Sequence, residues 1–198
     1  SNGEHPLMLR ISKDTRAPEG GFQPYARDEK RLARMWALPG TKGVEHRVGG
    51  LEKDSLSGAV SHDPENHERM VGLRAAKVAR VQDFIPKQEV VGGRRGELLV
   101  VGWGGTYGHL LTAVRELQRR GEQVSLCHFN FIHPLPRGVR EIFSRFRRIV
   151  VCELNSGQFA GYLRQQFQEF EFLQYNKIQG LPFTVTELGD EFARLLKS

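Results

Sequence analysis

No stretch of this chain stays apolar for anything like the roughly 20 residues that a bilayer-spanning helix needs. No charged and then apolar leader stands at its amino end either. These two lacks point to a cytoplasmic protein with no membrane partner. Cysteine is scarce: Cys127 and Cys152 are the only two, each inside an apolar, strand-like run and not in a spaced framework. Two thiols are too few for the four thiolates of a cubane iron–sulfur cluster, and without further ligands they cannot close a tetrahedral zinc site. Any redox centre is therefore expected in another chain. Histidines at metal-ligand spacing are missing as well. His62 and His67, like His128 and His133, are five residues apart, whereas two ligands on one helix face stand four apart. His67-Glu68-Arg69 has no second histidine at position 71. No metal site is expected, and no nucleophile and base stand in an arrangement that nominates a catalytic residue. An initiator Met is lacking too, and Ser1-Asn2-Gly3 reads as a tag scar on a piece of something longer.

What is present is enough apolar material, 39% of 198 residues, for one sizeable core, or for one domain plus a long arm. The net charge of +6 is localised. Between Arg94 and Arg148 there are ten arginines and four glutamates, which accounts for all of it and leaves the rest of the chain neutral. Such a span can be a solvated helix face, a surface for an acidic partner or cofactor, or a nucleic-acid footprint. No aromatics are interleaved with the arginines as a stacking platform, so nucleic acid is not expected as a partner.

Composition divides the chain. Residues 1–61 are rich in Gly, Pro and charge, with short extended stretches such as Leu7–Ile11, and read as an extended arm or linker. Residues 62–92 read as a linking helix over His62 to Ile85. Asp63 is placed to cap it and Pro64 suits its first position, with Met70, Leu73, Lys77, Val78, Val81 and Phe84 on one stripe. Gly92-Gly93 breaks the chain. From 93 to 198 strands and helices alternate. Leu98–Val101 is a continuous apolar run, and a helix near Thr106 to Arg120 turns Leu110, Leu111, Val114 and Leu117 inward. A strand follows near Val124 to Phe129, then a short helix with Val139, Ile142, Phe143 and Phe146 on one side. A third strand, Ile149–Cys152, leads into a helix carrying Phe159, Leu163, Phe167 and Phe170. A strand near Gln174 to Ile178 and a helix near Glu187 to Leu196 complete the series. Strands separated by helices of this length make an α/β domain with a mostly parallel open sheet and helices on both faces, preceded here by the arm and one helix.

Gly102-Trp103-Gly104-Gly105-Thr106-Tyr107-Gly108 stands where the first strand turns into a helix, the usual place for a phosphate. The dinucleotide fingerprint does not fit, because Tyr107 occupies the place of its third glycine and the second strand ends Cys127-His128-Phe129-Asn130 without an acidic residue. The loop is either a tight packing turn or an anion or subunit contact. Gly104, Gly105 and Thr106 are its possible contact residues. Glu153, Asn155 and Gln158 follow the third strand at the same sheet edge and could complete a polar patch. His46 and Arg47 stand in a loop that could reach a partner, and turn stabilisation or helix capping would explain all of these equally well.

Several blocks occur together in one order: Pro39-Gly40, Glu45-His46-Arg47, Gly49-Gly50-Leu51-Glu52, His67-Glu68-Arg69-Met70 with Arg74 and Lys77, Leu98–Gly108, His133-Pro134-Leu135-Pro136, Val150–Gln158 and Asn176–Phe183. This order, from about Phe22 to Phe183, resembles the carboxy-terminal region of the α subunit of 2-oxoacid:ferredoxin oxidoreductases, particularly the 2-oxoglutarate type. The resemblance implies a transketolase carboxy-terminal-like domain that packs at subunit interfaces. It implies a parent enzyme that oxidatively decarboxylates a 2-oxoacid on thiamine diphosphate with Mg²⁺, passes electrons through iron–sulfur clusters to ferredoxin, and forms an acyl-coenzyme A. By the same resemblance the partners are the β subunit and the remainder of the α subunit, no cofactor is bound by this piece, and the piece alone is inert. The alternative is an α/β module that binds coenzyme A or another nucleotide through the glycine loop.

Overall fold

The computed structural model describes residues 21–197; Ser1–Gly3 and the Leu7–Ile11 stretch lie outside them. The chain forms two compact units, one up to Ile85 and one from Pro86.

In the first unit, side chains of aspartates organise the turns. Asp28 accepts from the Arg31 and Ala33 amides, and Asp54 accepts from the Leu56 and Ser57 amides and the Ser57 hydroxyl. Among its described residues, isolated antiparallel bridges join Arg27 with Arg34 and Lys53 with Val60. Helix α1 spans Pro64–Arg80, with Asp63 accepting from the Glu65 and Asn66 amides and Pro64 in the first turn, as the sequence predicts. A 3-10 turn, Val81–Asp83, continues it. The expected stripe is not a buried one. Met70 is buried, but Val78, Val81 and Phe84 are exposed.

The second unit is a four-stranded, all-parallel sheet in the order β2-β1-β3-β4, formed by β1 (Gly96–Trp103), β2 (Val124–Phe129), β3 (Phe146–Glu153) and β4 (Leu173–Asn176). The helices are α2 (Tyr107–Arg119), α3 (Val139–Phe143), α4 (Gln158–Gln166) and α5 (Val185–Lys197). Successive strand residues point to opposite faces. Leu99, Val101, Ile149 and Val151 meet α3 and α4, and Leu98, Val100, Val150 and Cys152 meet α2 and α5. Burial on both faces is why the strands read as unbroken apolar runs. This is the α/β fold that the alternation predicts.

Three boundaries differ. Phe146 opens β3 and is not on the preceding helix; α4 ends at Gln166, leaving Phe167 and Phe170 in the turn beyond; and β4 stops at Asn176, not Ile178. The second has a visible reason. Phe143 meets Phe167, Phe170 and Phe172 edge-to-face in the core on one side of the sheet, so Phe167 and Phe170 are held by tertiary packing beyond the helix end although their spacing continues its period.

Candidate functional site

Strand β1 lies at the centre of the sheet's connectivity. The chain leaves it towards β2 on one side, and β3 with β4 lie on the other, so the topological switch point falls between the carboxyl ends of β1 and β3. Open α/β sheets bind ligands at that point. Here it is filled by the chain itself. Glu153, at the end of β3 and 1% exposed, accepts from the Trp103 indole Nε1 at 3.2 Å, from the Phe159 amide at 2.8 Å and from the Ala160 amide at 2.9 Å. A carboxylate beneath the first amides of α4 complements the positive end of the helix and is fully engaged in doing so. Asn155 accepts from the Gly157 and Gln158 amides at 2.7 and 3.0 Å, and Gln158, at the first position of α4, is exposed.

The glycine loop turns tightly. A Cβ at Gly102 would stand 2.2 Å from Leu110 Cδ1 and 2.9 Å from Thr106 Oγ1, so a side chain here would have to push the Leu110 and Thr106 side chains aside. Thr106 is buried and its hydroxyl donates to the Trp103 carbonyl at 2.9 Å. Gly104, at φ +59, and Gly105 face open space. Of the residues the sequence nominates, those of the loop and of the Glu153–Gln158 turn come to one sheet edge, linked by Trp103 and Glu153. His46 and Arg47 are exposed residues of the other unit, where His46 Nδ1 lies 3.0 Å from the Val44 carbonyl and its ring meets Phe22 edge-on.

Beside the loop a cleft of about 580 Å³ opens at the ends of β1 and β2, lined by Lys87, Gly104, Tyr107, His128 and Asn130 among others. The sequence reading passed over Tyr107 and His128 as site residues. The register Gly102 to His128 sets the histidine beside the glycine loop, and the Tyr107 ring meets it edge-on at 4.9 Å. Burial lowers the pKa of His128, opposed in part by the backbone of Gly104 and Trp103. Burial thus favours the neutral form of the imidazole, and its Nε2 is buried without a hydrogen-bond partner among the described residues. The cleft gathers an imidazole, a phenol and a lysine side chain beside the glycine loop.

The donor set does not suit an iron–sulfur cluster. Cys127 and Cys152 lie in the cores of opposite sheet faces, and burial raises both thiols well above their usual range. Among the described residues no three His, Cys, Asp or Glu side chains gather where they could hold a metal ion. No helix among them is long and apolar enough to cross a membrane.

No protein-family model matches the chain. Among curated proteins it is similar to the 2-oxoglutarate oxidoreductase subunit KorA of Mycobacterium tuberculosis, 41% identical over 173 residues, which is 87% of this chain and 26% of that protein. It is also similar to the α subunit of 2-oxoacid:ferredoxin oxidoreductase 1 of Aeropyrum pernix, 29% identical over 146 residues, 71% of this chain and 22% of that one. The chain spans about a quarter of the length of these relatives. Among solved structures it is similar to the 2-oxoglutarate:ferredoxin oxidoreductase of Magnetococcus marinus, determined with 2-oxoglutarate, coenzyme A and succinyl-CoA bound. The TM-score is 0.81 at 26% identity, covering 91% of this chain and 32% of that one. With the motif order, the parallel sheet and these likenesses in agreement, the chain is a partial-length homologue of the α subunits of 2-oxoacid:ferredoxin oxidoreductases, matching about a quarter of their length.

Proposed function

We propose that this chain is the carboxy-terminal assembly domain of an α subunit whose parent complex oxidatively decarboxylates a 2-oxoacid, 2-oxoglutarate by similarity, to an acyl-coenzyme A. In this reading residues 1–61 serve as an arm, 62–92 as a link and 93–198 as the docking body, in the cytoplasm. Thiamine diphosphate, Mg²⁺ and the iron–sulfur cluster are held by the β subunit and the rest of the α subunit, and ferredoxin meets the whole complex. The observation that carries the reading is the exposure of Met35, Trp36, Val48, Leu51 and Leu56 in a unit whose described residues bury few apolar side chains. Exposed apolar surface of that kind marks a protein contact. The filled switch point supports it, since Trp103 and Glu153 occupy the place where a substrate would otherwise sit.

Co-expression with the rest of the α subunit and the β subunit tests the proposal. The expected result is a single complex on size exclusion that consumes 2-oxoacid, while the isolated chain consumes none. Turnover by the isolated chain, or failure to co-elute, overturns it.

The orphan Nε2 of His128 beside an open glycine loop favours a second reading, in which the cleft at the β1 and β2 ends binds coenzyme A or another nucleotide. Calorimetric titration of the chain with coenzyme A decides this, with His128→Ala expected to abolish any heat that the unaltered chain gives.

A further inference from the structure

The first unit contains a groove of about 560 Å³ whose lining includes Arg27, Arg34, Arg74 and Lys77, and Glu52 as its carboxylate. Glu52 is already engaged. Both its oxygens accept from the Arg74 guanidinium at 3.3 Å, and one lies 2.9 Å from His67 Nδ1. Among the described residues no carboxylate lies within ion-pairing distance of Arg27, Arg34 or Lys77. Arg27 donates through Nη1 to the Tyr25 carbonyl at 3.1 Å and to Met70 Sδ at 3.8 Å, and Arg34 lies over the Tyr25 ring at 4.3 Å. A guanidinium carries five N–H donors, so neither is saturated by these contacts.

A second observation concerns the groove wall, to which Gly50, Leu51 and Glu52 contribute. Lys53, 1% exposed, donates from Nζ to the carbonyls of Gly49 at 3.3 Å and Leu51 at 2.5 Å, and no carboxylate among the described residues answers its charge. Burial, then repulsion from Arg34 and Arg74, pulls the Arg27 guanidinium below its ordinary range. Like charges gathered at one concavity work against the folded state unless an anion joins them. Planar guanidinium forks bind tetrahedral phosphate oxygens in pairs, and the groove has the size of a small-molecule site. One carboxylate would leave two of these three cations without a counter-charge among the described residues, whereas a diphosphate carries charge enough for all of them. Leu51 and Leu73 supply an apolar flank beside the charges.

We propose that this groove binds an organic diphosphate, its phosphates on Arg27, Arg34 and Lys77 and its organic group against Leu51 and Leu73. This site is separate from the cleft beside His128, and it does not depend on the assembly reading.

Calorimetric titration of the whole 198-residue chain with inorganic pyrophosphate, and then with ADP, is the test. Saturable binding is expected, tighter for ADP because of the organic group. Arg27→Gln and Arg34→Gln should each weaken it roughly tenfold or more. Glu52→Gln, which removes the competing carboxylate, should tighten it severalfold, a gain that structural damage cannot imitate. Circular dichroism checks that each variant is folded; if an arginine variant unfolds, Lys77→Gln and Glu52→Gln carry the test. Absence of saturable heat with either ligand overturns the proposal. So does equal weakening by Arg119→Gln on the exposed side of α2, which would mean diffuse charge. Tighter binding of a polyaspartate peptide than of ADP would assign the groove to an acidic protein segment, and loss of binding in His128→Ala would move the site to the other cleft; either result defeats it.

Discussion

Of the apolar side chains buried among the described residues, three (Val44, Met70 and Ile85) belong to the first unit and thirty to the second. The large exposed ones run the other way: Met35, Trp36, Val48, Leu51, Leu56, Val71, Val78, Val81 and Phe84 in the first, against Tyr107, Leu154, Ile178 and Leu181 in the second. The second unit can hold itself together by the hydrophobic effect, with a core on each face of its sheet. The first relies on aspartate-capped turns, a helix cap and the Glu52, Arg74 and His67 cluster, each worth little in water. The difference teaches that similarity over one continuous stretch can cover two kinds of structure. One buries its apolar side chains in a core of its own, and the other, among its described residues, leaves most of its large apolar side chains exposed.

Core truncation should separate the two most sharply. Phe143→Ala, at the centre of the aromatic cluster, should cost about 3–5 kcal/mol in urea denaturation of the whole chain. A loss below about 1 kcal/mol would mean that the second unit does not depend on its core as described.

Glu153→Ala should cost about 2–4 kcal/mol, because the Trp103 indole and the Phe159 and Ala160 amides lose their acceptor in a buried place. Glu153→Gln, which keeps an acceptor oxygen, should cost less. Gly102→Ala comes next at about 1–3 kcal/mol, from the clash with Leu110 and Thr106. Thermal melts of the three variants would check this order.

Acid should act on the first unit before the core of the second. Hydrogen bonds from the Arg74 and His67 side chains hold the Glu52 carboxyl at about 2, and those from Ser57 and Leu56 hold Asp54 at about 2. Both values lie below those of the unfolded chain. Their contribution is therefore fully present above about pH 4.5 and is lost as the pH falls to about 2. Amide hydrogen exchange should show protection around residues 52–57 fading over that window while the β1 and β3 amides remain protected. The smallest effect on stability is expected from Trp36→Ser, within about 0.5 kcal/mol. Its consequence should appear as lost co-elution with the partner subunits, and unchanged co-elution would show that this exposed apolar surface is not a contact.

Much of the second unit was legible in the sequence. Leu98–Val101 and Ile149–Cys152 are unbroken apolar runs because both their faces are covered, and α2 announces itself by Leu110, Val114 and Leu117. The strand order was not legible, and with it went the meaning of the glycine loop. Only the pairing of Gly102 with His128 and the closeness of Trp103 to Glu153 separate an open cleft from a filled one. Glu153, nominated as part of a polar patch, is a buried acceptor, because a carboxylate's local sequence does not say which amides will surround it. In α1 the periodicity of Met70, Leu73 and Val78 was visible, but period reports that a helix has an apolar side and says nothing of what covers it. Tyr25, Arg27 and Arg34 stand far along the chain from Arg74 and Lys77, so no local motif could have joined them in one groove.

The hydrogen bond from Trp103 to Glu153 has a spectroscopic consequence. The chain has two tryptophans, and they divide between the units: Trp36 is 62% exposed, and Trp103 is half-buried with its indole N–H given to a carboxylate. Their fluorescence differs in polarity and in quencher access, so iodide should dim one emission and spare the other. A single unmodified sample thus carries its own optical tags for following each unit as it meets its surroundings.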